Sequence, residues 1–158
     1  MKNDKGFSLV ELIIVVAIMA VLMGILAPQY IRYVEKTRIR ADDSIISDID
    51  KSCQATLAEE KYYSDAAGTV QVLVSSSGFL GVSGFTNAGL DFLAEVNTSV
   101  YGQTTSLNKF KSKAYTQNTS GTTLTYTFNT TLSTWQVTIV NSIPDSKYYQ
   151  APQAQQNP

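Results

Sequence analysis

Histidine is absent from the 158 residues, cysteine occurs once, proline four times, and only 16% of the side chains are charged. Without histidine there is no Ser-His-Asp or Cys-His nucleophile system and no His-ligated metal site. Cys53 stands alone, so no intramolecular disulfide forms. Neither sign of charge prevails: the formal net charge is −1, and setting aside Lys2, Lys5 and Asp4 leaves 10 basic against 12 acidic side chains. That balance does not predict nucleic-acid binding. The chain also lacks a Gly-rich phosphate loop and clustered acidic ligands, so no cofactor, no metal and no catalytic residues are expected.

What the chain has is one long apolar run. Residues 6–31, GFSLVELIIVVAIMAVLMGILAPQYI, carry a single ionised side chain, Glu11. At about 1.5 Å per helical residue, residues 7–30 cover roughly the 30 Å of a bilayer's hydrocarbon core. Lys2 and Lys5 precede the run, and short basic flanks of this kind stay in the cytoplasm, which predicts N-terminus in and remainder out. A secretory signal peptide has an apolar region of roughly 7 to 15 residues and a small-residue cleavage site. This run is longer and ends in Pro28-Gln29-Tyr30.

Glu11 sets the run apart from a plain membrane anchor. A carboxylate inside the apolar part of a membrane helix costs about 2.5 to 3.5 kcal/mol on insertion scales, so it needs a partner. A cut between Gly6 and Phe7 would put a new α-amino group one helical turn before Glu11. The two charges then pair within a subunit, or between subunits packed side by side in low dielectric. The helix dipole also favours a negative charge at this end.

The string Lys5-Gly6-Phe7-Ser8-Leu9-Val10-Glu11-Leu12, followed by the apolar run with Pro28 inside it, resembles the N-terminal signature of type IV prepilins and related pseudopilins. The resemblance covers about the first 36 residues. It implies that a membrane prepilin peptidase cleaves between Gly6 and Phe7, that the Phe7 amine is methylated, and that Glu11 and Phe7 act in assembly, the carboxylate of one subunit meeting the amine of the next. It implies a structural protein and not an enzyme: a pilus subunit that waits in the cytoplasmic membrane and then enters an extracellular filament serving adhesion, twitching motility or related tasks. A pseudopilin of a secretion or DNA-uptake machine is the alternative. The partners implied are the peptidase, identical subunits and the pilus assembly machinery. Many Gram-negative pilins close a C-terminal loop with a disulfide, and a chain with one cysteine departs from them.

The fold class expected is α+β, the type IV pilin fold: one long N-terminal helix whose C-terminal half packs on a small antiparallel sheet. Residues 1–6 form the leader and 7–31 the transmembrane and filament-core helix. Residues 32–62 lack Gly and Pro and continue that helix to about 55 residues in all. Val34, Ala41, Ile45, Ile49, Cys53 and Leu57 lay a stripe toward the head, while Asp42, Asp43, Asp48, Asp50, Glu59 and Glu60 mostly fall elsewhere. Pro28, with Gly24 four residues earlier, either loosens the helix or bends it harmlessly. Tyr30, Tyr33, Arg32, Lys36, Arg38 and Arg40 mark the outer end of the span. They read either as a solvated face or as partners for Glu35, Asp42 or Asp43 of neighbouring subunits.

Residues 63–107 read as an irregular connection with at most a short strand or hairpin around Val70, and a helix near 88–97 capped by Asn87 with Leu90, Leu93, Ala94 and Phe92 inward. Asp91 and Glu95 permit a calcium reading but are more simply two solvated charges. Residues 108–143 read as a three-stranded meander, with 111–117 as its first strand and alternation about Tyr126 and Val137 marking the others. Residues 144–158, rich in Gln and Pro, read as a flexible tail.

Overall fold

The computed structural model describes residues 8–78, 80–103, 110–129 and 134–150, with Ala67 by its backbone alone. It divides into two compact units, Met1–Glu35 and Lys36–Pro158. Helix α1, Leu9–Leu57, supplies elements to both and runs on through Gly24 and Pro28. In the first unit every described residue from 8 to 33 is exposed. That stretch is long and apolar enough to cross a membrane, by length and composition.

The second unit is α+β. After α1 come α2 (Glu60–Asp65), β1 (Ala66–Val74), β2 (Leu80–Phe85), α3 (Gly89–Tyr101), α4 (Lys113–Thr116), β3 (Thr122–Asn129) and β4 (Thr134–Asn141). The strands form one antiparallel sheet in the order β2-β1-β3-β4. Val70, Val72 and Val74 of β1 and Leu124 and Tyr126 of β3 point inward by strand alternation. They share one core with Ile39, Ile46, Ile49, Cys53 and Leu57 of α1. A long helix laid on a small antiparallel sheet is the expected fold class.

Several details differ from the sequence reading. α1 stops at Leu57 instead of running to 62, closing with the tighter bonds of Ala58 N–H to Ala55 and Glu59 N–H to Thr56. Extended backbone at Glu59 then redirects the chain, and α2 drops Tyr62 into the core between Phe85 and Phe92. The segment read as a connection supplies half the sheet. β1 lies in its interior, paired with β2 on one side and β3 on the other, and its alternation of Val70, Val72 and Val74 with Thr69, Gln71 and Leu73 buries one face.

Residues 111–117 are no strand: Ser112 caps α4, its hydroxyl accepting from the Tyr115 N–H, and β1 takes the place assigned to them. α3 begins at Gly89, with no side-chain cap from Ala88 at its N-cap, and buries Phe92 and Val96 while Leu90 is 81% exposed.

Two glycines are obligatory for close approach. Gly84, at φ +99, sits where the β1–β2 register slips between Ala66 and Gln71, and a Cβ there would collide with the Thr69 carbonyl. Gly121, at φ +69, opens β3 with its α-carbon facing the Val74 carbonyl, 2.7 Å from where a Cβ would lie.

Candidate assembly surface and the carboxylates that support it

Gly6 and Phe7 lie outside the described residues. Of the residues assigned to assembly, Glu11 is described. It is exposed in the first turn of α1, and its Oε2 accepts a hydrogen bond from the Ser8 backbone N–H at 3.0 Å. Ser8-Leu9-Val10-Glu11 has the spacing of a capping box, in which the third residue of the helix reaches back to satisfy the N–H of the cap. The carboxylate therefore has a local role in starting the helix. The S-x-x-E spacing was visible in the sequence and went unread there.

Beyond Glu11, Leu9, Val10, Leu12, Ile13 and the apolar residues that follow cover all sides of α1, none below 44% exposed as far as Ile31 among the large ones. Among the described residues of the second unit no apolar surface is of comparable length. In water such a cylinder is untenable; lipid or like helices must cover it.

The second unit is fastened by three carboxylates. Asp42 and Asp43, each 1% exposed, are consecutive on α1 and reach two different segments. Asp42 accepts from the backbone N–H of Lys111 (3.0 Å) and of Ser112 (2.8 Å), and from the Ser112 hydroxyl (2.6 Å). Asp43 accepts from the Tyr115 hydroxyl (2.7 Å), the Ser146 hydroxyl (2.6 Å) and the Lys147 N–H (2.9 Å), with the Arg40 guanidinium 3.5 Å away. Burial first, and then the neighbouring Asp43 carboxylate, push the Tyr115 phenol well above its usual range, so it remains a donor. The Asn141 amide closes the network by donating to Tyr115 and Thr122.

These two aspartates, expected off the inward stripe and as partners for neighbouring subunits, lie instead on the buried face of α1, bonded within their own chain. Asp42 holds Lys111 and Ser112 against α1, and Asp43 holds Ser146 and Lys147 there. Residues 144–150 therefore have defined positions, ending with Tyr149 in a bridge to Asn141; the rest of the tail, 151–158, lies outside the described residues.

Asp65 does the same work at the start of α3. Its carboxylate accepts from the N–H groups of Thr86 (3.0 Å), Asn87 (2.9 Å) and Ala88 (2.8 Å). Those backbone bonds, that of Ala88 foremost, hold its carboxyl below the usual aspartate range. Asp91 and Glu95 are engaged as well: Asp91 pairs with Lys61 at 2.8 Å, and Glu95 accepts from the Tyr62 hydroxyl at 2.8 Å. Among the described residues no three His, Cys, Asp or Glu side chains gather to hold a metal ion. Cys53 is fully buried, and burial pushes its thiol up to about 12. It sits in the core with Tyr126, whose hydroxyl donates to Asp50 at 2.9 Å.

Residues 1–27 match a family described as a prokaryotic N-terminal methylation motif. A fimbrial protein of Pseudomonas aeruginosa is 39% identical over 61 residues, 39% of this chain and 40% of that one. A prepilin peptidase-dependent protein A of Clostridium perfringens is 30% identical over 87 residues, 54% and 61% of the two chains. The type IV wide pilus major component PilA4 of Thermus thermophilus is 43% identical over 47 residues, 30% and 33% of the two. The chain thus spans from a third to three fifths of the length of these relatives. No solved structure matches it.

Proposed function

We propose that this chain, which carries the prepilin methylation motif on a type IV pilin-like fold, is a structural subunit of a type IV pilus and not an enzyme. The observation that carries the reading is the exposed apolar length of α1, coupled to the motif over residues 1–27. The relatives named as fimbrial and pilus components point the same way.

In this reading the precursor lies in the cytoplasmic membrane with Lys2 and Lys5 inside. A prepilin peptidase cuts between Gly6 and Phe7, and the Phe7 amine is methylated, which keeps its positive charge. Subunits leaving the membrane exchange lipid for one another along residues 7–31, so the apolar surface is never returned to water. Glu11 accepts the Phe7 amine of a neighbour and fixes axial register, because an unpaired carboxylate in that core is costly. Gly24 and Pro28 lower the cost of local unwinding as helices crowd together. Adhesion and motility are the tasks such a filament serves.

The test is the intact mass and N-terminus of the protein from cells and from material sheared off their surface. A chain beginning at methylated Phe7 in the sheared fraction is expected. The same chain confined to membranes would favour a pseudopilin, and an uncut Met1 with the peptidase present would leave only a membrane anchor.

A further inference from the structure

The charges of the second unit are sorted along α1. Around residues 36–43, Lys36, Arg38 and Arg40 are exposed, and the two buried aspartates bring further cations to the same place. Asp42 holds the backbone of Lys111, two residues before Lys113, and Asp43 holds that of Lys147. The carboxylates at this end do not balance them at the surface, because Asp42 and Asp43 are buried and Asp145 pairs with Lys36 at 3.8 Å. Lys111 is exposed, and among the described residues its ammonium has no partner.

The opposite sign collects where α1 ends. From Asp42 to Leu57 the helix advances about 22 Å. Just beyond it Glu59 and Glu60 are exposed, and among the described residues neither carboxylate has a partner. Two carboxylates of α3 are drawn to the same end: Asp91 meets Lys61 at 2.8 Å, and Glu95 accepts from the Tyr62 hydroxyl at 2.8 Å. Lys61 is spent on Asp91, so the surface here is acidic. The unit is therefore a dipole with an unsatisfied pole at each end. An anionic surface would account for the basic pole alone, whereas a second copy of the same chain accounts for both.

We propose that Glu59 and Glu60 of one subunit meet Lys111 and Lys113 of a second copy, head to tail along the direction of α1. Subunits drawn from one membrane share one orientation. Parallel dipoles at the same height place like poles together and repel, and a displacement of about 22 Å along α1 brings opposite poles into contact. An antiparallel pair would also match the poles, but it would stop at a dimer and set the apolar helices in opposite directions. The head-to-tail contact is heterologous: it leaves one free pole at each end of any assembly and propagates without closing. The proposal rests on the pilus reading for its partner and its orientation, and it adds an axial contact between heads to the packing of the apolar helices.

The experiment uses the full chain expressed in cells that assemble filaments. Sheared filaments are treated with a water-soluble carbodiimide, which joins a carboxylate directly to an amine in contact with it, and the linked peptides are read by mass. Lys61 and Asp91, in contact within one chain, give the positive control. The expected result is a further link from Glu59 or Glu60 to Lys111 or Lys113, in covalent dimers and higher species. About 22 Å of helix separates the two pairs within a chain, so that link lies between copies. Filaments that give the control link without the other would overturn the head-to-tail contact and leave the pilus reading intact. Absence of filaments from the unsubstituted chain would overturn both. Charge reversal is the second readout. Glu59→Lys with Glu60→Lys, or Lys111→Glu with Lys113→Glu, should each lower the sheared-filament yield by roughly tenfold or more, and the four together should restore most of it. All four side chains are exposed, and the melting temperature of each detergent-solubilised variant checks its fold. Wild-type yield from either reversal would overturn the proposal. So would failure of the fourfold variant to recover, and with loss of binding to anionic vesicles it would give the basic pole to lipid headgroups.

Discussion

The Tyr115 hydroxyl donates to Asp43 Oδ1 at 2.7 Å while accepting from the Asn141 amide, so one phenol joins α1, α4 and the end of β4 inside a buried network. Asp43 also receives Ser146 and Lys147, and through it α1 grips the C-terminal segment. In a chain with a single cysteine, this carboxylate holds in place what a disulfide has no means of holding.

Removing that acceptor should therefore cost more than removing one donor. Asp43→Ala leaves the Tyr115 and Ser146 hydroxyls and the Lys147 N–H without their partner, a loss on the order of 3 kcal/mol or more, and Tyr115→Phe should cost about 1 to 3 kcal/mol. Trp135, the only tryptophan, reports unfolding of this unit by its fluorescence in detergent-solubilised chain. Equal melting temperatures for Asp43→Ala and the unsubstituted protein would show that the network contributes nothing.

Asp65 predicts an acid limit. Its folded carboxyl titrates below the ordinary value of 3.8 because the Ala88, Asn87 and Thr86 N–H groups stabilise the ionised form. A depressed carboxylate contributes its full stability above the unfolded pKa and loses it as pH falls through the folded one, so the window lies below about pH 4. Between pH 6 and pH 3 the melting temperature of the Asp65→Asn protein should fall less than that of the parent. Parallel pH profiles would rule out this role.

How much of this was open to sequence reasoning depended on whether a pattern was local. The membrane-length run, the lone Glu11 and the alternation of β3 and β4 were local and legible. The inward stripe of α1 was drawn through Ala41, Ile45, Ile49 and Cys53 at a spacing of four, which advances about 40° past each full turn and walks around the helix. Ile49, Cys53 and Leu57 of that stripe are buried as expected, but Ala41 is exposed, and the buried face reaches back through Ile46, Asp43, Asp42 and Ile39. Two members of that face are aspartates, which no apolar pattern includes; their donors lie about 70 and 100 residues downstream. β1 was underestimated for a related reason. A strand's place at the centre of a sheet is set by partners such as β3, which no local pattern names.

Cys53 should be inert in the folded chain. It is fully buried, and with its thiol pushed up to about 12 almost no thiolate exists at pH 8. Maleimide should add no mass to the native protein in detergent and one adduct after denaturation. Labelling of the native protein within minutes would mean that α1 and the sheet separate readily around Cys53.

Glu11 has one observed contact and one proposed use, and substitution can separate them. Its Oε2 caps the first turn through the Ser8 N–H, a task that needs only an acceptor, whereas pairing with a neighbour's Phe7 amine needs a charge. Glu11→Gln keeps an acceptor at the same reach, and Glu11→Ala removes both functions. A membrane-helix carboxylate costs about 2.5 to 3.5 kcal/mol to bury, so neither change should impair insertion. If register depends on charge, both variants should accumulate in the membrane, be cut at Gly6-Phe7, and yield few sheared filaments. If the helix cap is what matters, Glu11→Gln should assemble nearly as well as the parent while Glu11→Ala fails. Filament yield in the sheared fraction, normalised to processed subunit in the membrane, decides between the two. Normal yield from both would remove Glu11 from the account of assembly, leaving the apolar face of α1 to set register by packing alone.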